Sequence, residues 1–513
     1  MPNTDHVTIV ARNVIHCADP QKLKTLPSPF KLGPLDYVAF AALPIDLVWV
    51  YESSAPSKKL VPVSRLRAIG VMLNYYPQLT GRLSIDSLNG IRTIIQLGTG
   101  ILFLEALCDV PLSSFRNPNT GELDMYNLPG SGKALIAPWD PSTEGVARDP
   151  PFTAQHTRFA CGSVAVGIRI SHVLCAAEGA LCLFQNLAQI YREMAKNEAQ
   201  AVSLQNPPSI IPWMADETTG MTPEAKTAAL SRPPPNFTAA HVTDTLAAEI
   251  QAAVLGATEA GANSKLTTSP APKITGCTLR FSTAELTAIK AAATPPDNST
   301  WVSTFEALAA HLWQSAHKAR LKDALSRGLI HPPAQPISFI TSINFSSRLS
   351  DTGLLLPRYF PNAIVPCAHT LPSSTLASEP LWRIAQHVHA WIRAVDTADA
   401  SDLAAWIAAQ ENKTGIVYSV PCDEWSFCVS AWHGFPLYNG AELDEGVRPV
   451  LAGFPFAEIS LIDGMGIVTQ AREGVDRGVE VKFTVAEPVM RVMEEEGGEE
   501  VEYGGRWEEW GGN

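Results

Sequence analysis

The clearest hydrophobic pattern in this chain is an apolar run that changes from strand-like to helix-like spacing at one histidine. Residues 159–170 (FACGSVAVGIRI) are mostly small and β-branched, which is typical of a buried β-strand. Residues 176–191 instead predict an amphipathic helix, because their apolar side chains recur every three to four positions. Its apolar stripe comprises Leu181, Phe184, Leu187 and Tyr191. His172 lies at the junction, where a rigid strand end would hold an imidazole beside a cleft.

The alternation of strand and helix patterns continues in the second half of the chain. Residues 275–281 predict a strand and residues 283–292 a helix. A longer helix follows, and Ser303 with Glu306 forms a capping box at its start. The whole pattern is typical of an α/β protein.

Length and local composition predict two domains joined by a linker. A chain of 513 residues is longer than a domain with one core usually is. A Pro-, Ala- and Thr-rich stretch, with one helical segment at 243–255, separates the two halves. We therefore predict an N-terminal domain at 1–205, a crossover linker at 206–270 and a C-terminal domain at 271–513.

Composition narrows the class of protein. Apolar residues make up 46% of the chain and charged residues 17%, which indicates a large buried core. The net charge of −13 argues against a nucleic-acid partner, because such proteins present basic surfaces. The nine cysteines have no paired spacing, and no apolar run approaches the length of a membrane span. With no signal-peptide pattern at the N-terminus, we expect a cytoplasmic protein with reduced thiols.

Metal binding is not predicted. His387 and His389 are the closest pair of histidines, but residues two positions apart on a helix face away from each other. No third ligand stands near them in the sequence.

His172 itself has two interpretations. A lone histidine between an apolar strand and an apolar helix is more often a core residue than a catalyst. An imidazole with a pKa near 7 is, however, well suited to take a proton from an alcohol and pass it on. Other motifs in the chain favour the second interpretation.

Six sequence blocks, in the same order, resemble those of the BAHD acyl-CoA-dependent acyltransferases over about residues 30–490. They include the strand that ends in Ser171-His172, which resembles the Ser-His segment of the family's catalytic HxxxDG motif. The other five are residues 75–83 (YYPQLTGRL), 304–313 (TFEALAAHLW), 344–349 (NFSSRL), 359–363 (YFPNA) and 430–438 (SAWHGFPLY). Each block alone is a weak signal, but six in order are a strong one.

The resemblance implies a fold and a mechanism. The fold would be two similar mixed-sheet lobes, as in chloramphenicol acetyltransferase, with a central tunnel between them. His172 would be the general base, and the indole N–H of Trp432 would stabilise the oxyanion, although Trp432 fits a core packing role equally well. A thioester is already activated, so no acyl-enzyme is needed, and the chain has no Gly-x-Ser-x-Gly motif.

The resemblance also implies that acyl-CoA binds on the side of the C-terminal domain. Ser303 and Thr304 open the long helix, whose free N–H groups suit a phosphate. Lys318 and Arg320 lie further along it and could neutralise phosphates. The same residues also fit an ordinary capped helix with a basic, solvated face. Acyl-CoA, most simply acetyl-CoA, is the expected cosubstrate, and no tightly bound cofactor is expected.

Two positions depart from the family pattern. The second hallmark, DFGWG, is degraded to a segment that contains Glu442, Asp444 and Gly446, where the family motif is structural. The aspartate of the first hallmark is replaced by Ala176. In the family that aspartate pairs with an arginine, for which Arg348 is the best match, and a partly buried Arg348 would then lack its counter-ion.

Ala176 has three interpretations. It could be an engineered substitution, a natural one in which Glu178 partly replaces the lost carboxylate, or the mark of a homologue that no longer transfers acyl groups. If the missing aspartate only orients the ring, then Ala176→Asp raises activity at least about tenfold, or about 1.4 kcal/mol of barrier.

The sequence therefore predicts an acyl-CoA-dependent O-acyltransferase that acts on a hydroxyl group of a hydrophobic secondary metabolite. We expect acetyl as the acyl group, because it is the commonest in the fungal branch that the divergent C-terminal motif resembles, and we expect a monomer. The alternative is a homologue of the same fold that binds, cyclises or isomerises a metabolite without acyl transfer. A third possibility is a carrier-dependent condensation enzyme, but those usually have two adjacent histidines, whereas Ser171 precedes His172.

Overall fold

Two mixed β-sheets with helices packed on them dominate the computed structural model of the protein. The structure describes residues 6–54, 60–196, 202–239, 272–297, 299–328, 333, 335–348, 358–420, 423–457, 460–472 and 477–498. The prediction of an α/β protein with two mixed-sheet lobes is confirmed.

The first sheet has six strands in the order β1-β6-β7-β8-β3-β15. Five of them are β1 (Val7–Ile15), β3 (Pro44–Tyr51), β6 (Ile101–Cys108), β7 (Phe152–Phe159) and β8 (Val164–Ser171). The sixth is β15 (Leu451–Gly453). Neighbouring strands are antiparallel except for the pair β6 and β7. The strands β3 and β8 are buried along their whole length, as expected for the centre of a sheet covered on both faces.

The second sheet also has six strands, in the order β10-β17-β16-β14-β11-β12. They are β10 (Ile274–Phe281), β11 (Ile337–Asn344), β12 (Ile364–Leu371), β14 (Phe427–Ala431), β16 (Met465–Gln470) and β17 (Val479–Ala486). The strand β14 runs parallel to both of its neighbours, and the other pairs are antiparallel. Smaller sheets are formed by β2 (Phe30–Lys31), β4 (Arg82–Ile85) and β5 (Arg92–Ile95), and by β9 (Phe237–Ala239) with β13 (Ile416–Tyr418).

The helices include one long helix in each lobe. In the first lobe, α3 (Ala177–Lys196) follows β8, and in the second lobe, α7 (Thr304–Ser326) supports the sheet. The others are α1 (Ala68–Leu73), α2 (Thr143–Arg148), α4 (Glu217–Gly220), α5 (Pro223–Leu230), α6 (Thr283–Ala292), α8 (Ser373–Ser378), α9 (Leu381–Ala394), α10 (Thr397–Ala409) and α11 (Glu487–Gly498). Within the described ranges, no helix has the length and apolarity needed to cross a membrane.

The apolar run before His172 is not one continuous strand. The expected strand at 159–170 is interrupted by a hairpin turn, and β8 begins only at Val164. The backbone of Gly162 adopts φ +88° there, a left-handed conformation that glycine reaches without steric cost. The helix that follows begins at Ala177 rather than at Ala176 and continues to Lys196.

The boundaries that we predicted between the domains do not coincide with the sheets. Strand β15 belongs to the C-terminal half of the sequence, but it pairs with β3 and closes the first sheet. The described part of the linker packs on the second lobe, where β9 pairs with β13 and α5 contacts α10. The predicted helix at 243–255 lies outside the described residues.

Candidate active site

His172 lies at the seam between the two lobes, directly after the end of β8. Its backbone N–H donates a hydrogen bond to the carbonyl of Leu43 (3.1 Å) in the first lobe. Its carbonyl accepts one from Nδ2 of Asn362 (2.9 Å), which precedes β12 in the second lobe. The backbone of the candidate base is therefore fixed by both lobes.

The imidazole of His172 is half-buried, and its surroundings keep it neutral. Burial lowers the pKa of His172 below its ordinary value of 6.5, although the backbone of Cys175 and the side chain of Asn362 oppose this shift. Within the described residues, the Nδ1 atom of the ring is buried without a hydrogen-bond partner. A neutral imidazole is the form that can accept a proton.

Glu178, near the start of α3, also joins the two lobes. Its Oε2 accepts hydrogen bonds from Nδ2 of Asn344 (2.9 Å) and from the hydroxyl of Ser346. Both donors belong to the second lobe, at or just beyond the end of β11. Hydrogen bonds to a charged carboxylate are roughly twice as strong as neutral ones, so Glu178 is a firm link across the seam.

The close approach of α3 to the second lobe depends on Gly179. A Cβ at this position would lie 2.3 Å from the carbonyl oxygen of Phe360, a separation that no side chain tolerates. The pair Glu178-Gly179 thus combines a carboxylate that reaches the second lobe with a glycine that lets the backbones meet.

Arg348 is not the buried cation that the sequence suggested. Its side chain is exposed, and its guanidinium lies over the ring of Phe345 at 5.1 Å from the ring centre. An exposed cation needs no counter-ion to offset the loss of hydration. The substitution at Ala176, which is itself buried, therefore leaves no stranded charge at Arg348.

Trp432 is buried at the start of the segment after β14, and its indole N–H already has a partner. Nε1 donates to the hydroxyl of Ser430 at 3.1 Å. The ring packs edge-on against Phe454, with the ring centres 4.7 Å apart. To serve as an oxyanion donor, Trp432 would have to release Ser430.

The four residues that we expected to contact CoA are not grouped together. Ser303 caps α7 as predicted, since its hydroxyl accepts from the backbone N–H of Glu306 (3.1 Å). Thr304, at the first helical position, is exposed. Lys318 is also exposed, but it lies fourteen residues beyond Thr304, which corresponds to about 20 Å along the helix.

Arg320 is unsuited to binding an external phosphate. Only 4% of the residue is exposed, whereas we expected it on a basic face. Its guanidinium donates to a carboxylate oxygen of Asp463 and to the carbonyl of Ser426, both at 2.8 Å. Its charge is already paired inside the second lobe, which argues against the expectation that it neutralises a phosphate.

The degenerate hallmark segment forms a strap, residues 437–447, that docks on the first lobe. Asp444 accepts hydrogen bonds from the backbone N–H of Val61 (2.7 Å) and from the hydroxyl of Tyr191 (3.2 Å). The carbonyl of Glu442 accepts from Arg192. Gly446 has φ +71°, a turn conformation that favours glycine. These contacts agree with a structural role for the segment.

Asp444→Ala is expected to lower the free energy of unfolding by about 1–3 kcal/mol, because it leaves a part-buried backbone N–H without its acceptor. The expected kcat at temperatures where the variant is folded equals that of the wild type. Chemical denaturation together with a transfer assay checks both. Glu445→Ala, at an exposed neighbour in the same strap, is the matched control, and equal stability of the two variants would contradict the anchoring role of Asp444.

The thiol nearest to His172 in the sequence, that of Cys175, is a poor nucleophile. Burial raises the pKa of Cys175 well above its usual value, and only a thiolate attacks a thioester efficiently.

The structure shows no cluster of three metal-ligating side chains anywhere among the residues that it describes.

Sequence reasoning missed two residues of this site: Asn362, which contacts the backbone of His172, and Asp36, which contacts Asn362. Asn362 was noted only as part of the block at 359–363, without a role. Asp36, which accepts hydrogen bonds from Asn362, was not noted at all. The one available signal was an acidic residue inside the largely apolar run at 35–43 (LDYVAFAAL), since a carboxylate is rarely buried without a purpose.

Comparison with known proteins supports the resemblance seen in the motifs. The model of the Transferase family matches residues 5–500. The shikimate O-hydroxycinnamoyltransferase of Nicotiana tabacum is 25% identical over 404 residues, which cover 78% of this chain and 77% of the relative. The 13-hydroxylupanine O-tigloyltransferase of Lupinus albus is 28% identical over 37% of this chain and 43% of its own length. Eremophilane O-acetyltransferase prx11 of Penicillium rubens is 30% identical over 21% of this chain and 22% of its own length. The chain thus spans less than half of these last two relatives.

Solved structures share the fold. The complex of F. graminearum TRI101 with coenzyme A and deoxynivalenol superposes with a TM-score of 0.63 at 15% identity, over 93% of this chain and 98% of that one. Vinorine synthase gives a TM-score of 0.61 at 15% identity, over 95% of this chain and 96% of that one. With the family model matched over nearly its whole length, the chain belongs to the Transferase family, the BAHD acyltransferases, as its six sequence blocks predicted.

Proposed function

We propose that this protein transfers an acyl group, most simply acetyl, from acyl-CoA to a hydroxyl group of a hydrophobic secondary metabolite. His172 is the general base, and the alcohol and the thioester meet beside it at the seam between the lobes. The single observation that carries this proposal is the position of a neutral, half-buried imidazole at the seam, with its backbone held by both lobes.

One base is sufficient for the reaction, and no acyl-enzyme is formed. His172 removes the proton of the acceptor hydroxyl while the oxygen of that hydroxyl bonds to the carbonyl carbon of the thioester. This addition gives a tetrahedral intermediate with a negatively charged oxygen. When the carbon–sulfur bond breaks, the imidazolium returns the proton to the departing thiolate. We assign the oxyanion contact to the indole N–H of Trp432, which would exchange its bond to Ser430 for one to the oxyanion.

The start of α7 is the part of the expected CoA site that we retain. The hydroxyl of Ser303 is engaged in capping, so a phosphate there would be bound by first-turn backbone N–H groups and by the exposed hydroxyl of Thr304. Lys318, about 20 Å further along the helix, could contact only a different part of the cosubstrate.

The choice of acceptor and acyl group is supported by the relatives. Two of them are named for transfer to hydroxyl groups of a lupanine and an eremophilane, and the second is an acetyltransferase. A structural neighbour binds coenzyme A and deoxynivalenol together. A largely apolar alcohol is therefore the acceptor class that we propose.

The test is an acylation assay with the purified chain, acetyl-CoA and three alcohols: deoxynivalenol, 13-hydroxylupanine and the polar control shikimate. We expect CoA release above the acceptor-free rate with an apolar alcohol, matched mole for mole by an acetyl ester in the mass spectrum. Calorimetric titration with CoA accompanies the assay. The proposal is refuted if CoA does not bind, or if a metabolite is converted without consumption of acetyl-CoA, as the cyclising or isomerising alternative predicts.

A further inference from the structure

A buried chain of hydrogen bonds runs from the first lobe to the second and back to the candidate base. Asp36 lies on a short 3₁₀ helix, Pro34–Tyr37, and 1% of it is exposed. Its Oδ1 accepts hydrogen bonds from the backbone N–H (3.0 Å) and from Nδ2 (3.1 Å) of Asn362. The same Nδ2 also donates to the carbonyl of His172 at 2.9 Å. The side-chain amide of Asn362, also 1% exposed, is thus held between the carboxylate of Asp36 and the backbone of the base.

We propose that Asp36 is a positioning residue for acyl transfer, which acts through Asn362 to fix His172 at the seam between the lobes. This inference rests on the proposed function for its kinetic consequence. The contact between Asp36, Asn362 and His172 exists independently of it.

The partners of Asp36 explain why a carboxylate, and no neutral isostere, suits this position. Oδ2 accepts from the backbone N–H of Gly33 at 2.8 Å, so each bond that the structure gives to the carboxylate comes from an N–H donor. An amide at position 36 would place an NH₂ group against one of those donors. A protonated carboxyl would likewise point its O–H at a donor, and both changes would leave a buried polar group unsatisfied.

Burial, together with the charged and titratable groups around Asp36, sets the pKa of this carboxylate and so the pH at which the link weakens. These groups are Arg92, whose Nη1 donates to the carbonyls of Asp36 and Ala39, together with Tyr37, Tyr359 and Cys175. Burial is the dominant cause of a rise in the pKa of Asp36 to about 7, while the N–H donors and Arg92 oppose it. The ionised form that holds Asn362 is therefore present above pH 7 and is lost as the pH falls below it.

The hydrogen bonds from Asp36 through Asn362 affect both the backbone carbonyl and the imidazole ring of His172. Nδ2 of Asn362 fixes the carbonyl, and the side chain of Asn362 also favours the protonated form of the ring. A change at Asp36 should thus alter the environment of an imidazole that it does not touch.

The test compares the full-length protein with Asp36→Asn, Asn362→Ala and the double variant. Histidine labelled with ¹³C at Cε1 reports the ring by NMR, and His172→Ala assigns its resonance. We expect Asp36→Asn to shift the His172 resonance and to lower kcat about tenfold with little change in KM. A tenfold change in kcat corresponds to about 1.4 kcal/mol of barrier. The double variant should be no worse than Asn362→Ala alone. In wild type, kcat should fall as the pH drops through about 7, and Asp36→Asn should lack that limb.

Asp124→Asn is the matched control. Asp124 is another buried carboxylate, whose pKa burial raises to about 6, but it caps the 3₁₀ helix Met125–Asn127 and has no bond to Asn362. Asp124→Asn should lose stability and leave the His172 resonance unchanged.

An unshifted resonance in both Asp36→Asn and Asn362→Ala overturns the proposal. A shifted resonance in a wild type that transfers no acyl group would instead refute the proposed function and leave the positioning role intact. If Asp36→Asn does not fold, Asn362→Ala decides the matter alone.

Discussion

His172→Ala is expected to lower kcat/KM for acyl transfer by at least about 10²-fold, the usual contribution of a positioned general base. The variant should remain folded. Both contacts that fix His172 to the lobes use its backbone, and these survive the substitution. The Nδ1 atom of the ring is buried without a hydrogen-bond partner among the described residues. Removing the ring therefore removes the unfavourable free energy of burying that polar atom. A transfer assay and thermal unfolding of the same samples measure both effects.

His156→Ala separates a catalytic loss from a general one. His156 lies on β7, beside β8, and its Nε2 is hydrogen-bonded to the carbonyl of Val61 at 2.9 Å. Burial lowers its pKa to about 4, so it is also a neutral, buried histidine of the first lobe. This control should lose stability and keep kcat. If instead His172→Ala keeps the wild-type kcat/KM, His172 is not the base.

Glu178→Ala is expected to lower kcat about 10- to 10²-fold, which corresponds to about 1.4–2.7 kcal/mol of barrier. It removes two hydrogen bonds to a carboxylate, each typically worth about 1.5–3 kcal/mol of stability. Those bonds connect α3 to Asn344 and Ser346 across the seam. Without them the segment that begins with His172 is held less firmly against the second lobe. We expect the loss mainly in kcat, because a looser seam would disturb the position of the base.

Ala176→Asp is not expected to raise activity, contrary to the expectation from the motif alone. Ala176 is 7% exposed, and the arginine that should pair with a carboxylate there is exposed and lies over Phe345. A buried, unpaired carboxylate costs several kcal/mol in practice or is protonated instead. We therefore expect a less stable protein with at most wild-type kcat.

We therefore propose the second of the three interpretations of Ala176, in which Glu178 partly replaces the lost carboxylate. Glu193→Ala is the matched control for Glu178→Ala, because Glu193 lies on the same helix but pairs with Lys196 at an exposed site. A tenfold activation by Ala176→Asp would restore the motif-based interpretation. Wild-type kcat in Glu178→Ala would show that the link to the second lobe is unimportant.

Local signals in the sequence predicted the elements that carry the site. Residues 283–292 form α6 at the predicted positions, because helical spacing is a property of neighbouring residues. The start of α7 was found from the capping box of Ser303 and Glu306, which is also a local signal. The strand before His172 was drawn too long, since a turn at Gly162 with positive φ interrupts the apolar run, and apolar spacing alone does not reveal a hairpin.

Contacts between distant parts of the chain were not predictable in this way. Asp36 and Asn362 are 326 residues apart, and nothing in the neighbourhood of either indicates its partner. Arg320 looked like a surface cation because its partner, Asp463, is 143 residues away. Strand β15 joins the first sheet from the second half of the sequence for the same physical reason: register and partner are set by tertiary packing.

If His172 is the base for direct transfer, no residue of the chain carries the acyl group at any stage. The decisive measurement is a rapid-mixing experiment with [1-¹⁴C]acetyl-CoA and the acceptor that gives turnover in the steady-state assay. For direct transfer, CoA and the labelled ester appear together at the same rate, and without acceptor the protein gains no label. A burst of CoA before any ester, with the label retained on the protein, would show that an acyl-enzyme forms and that the transfer is not direct.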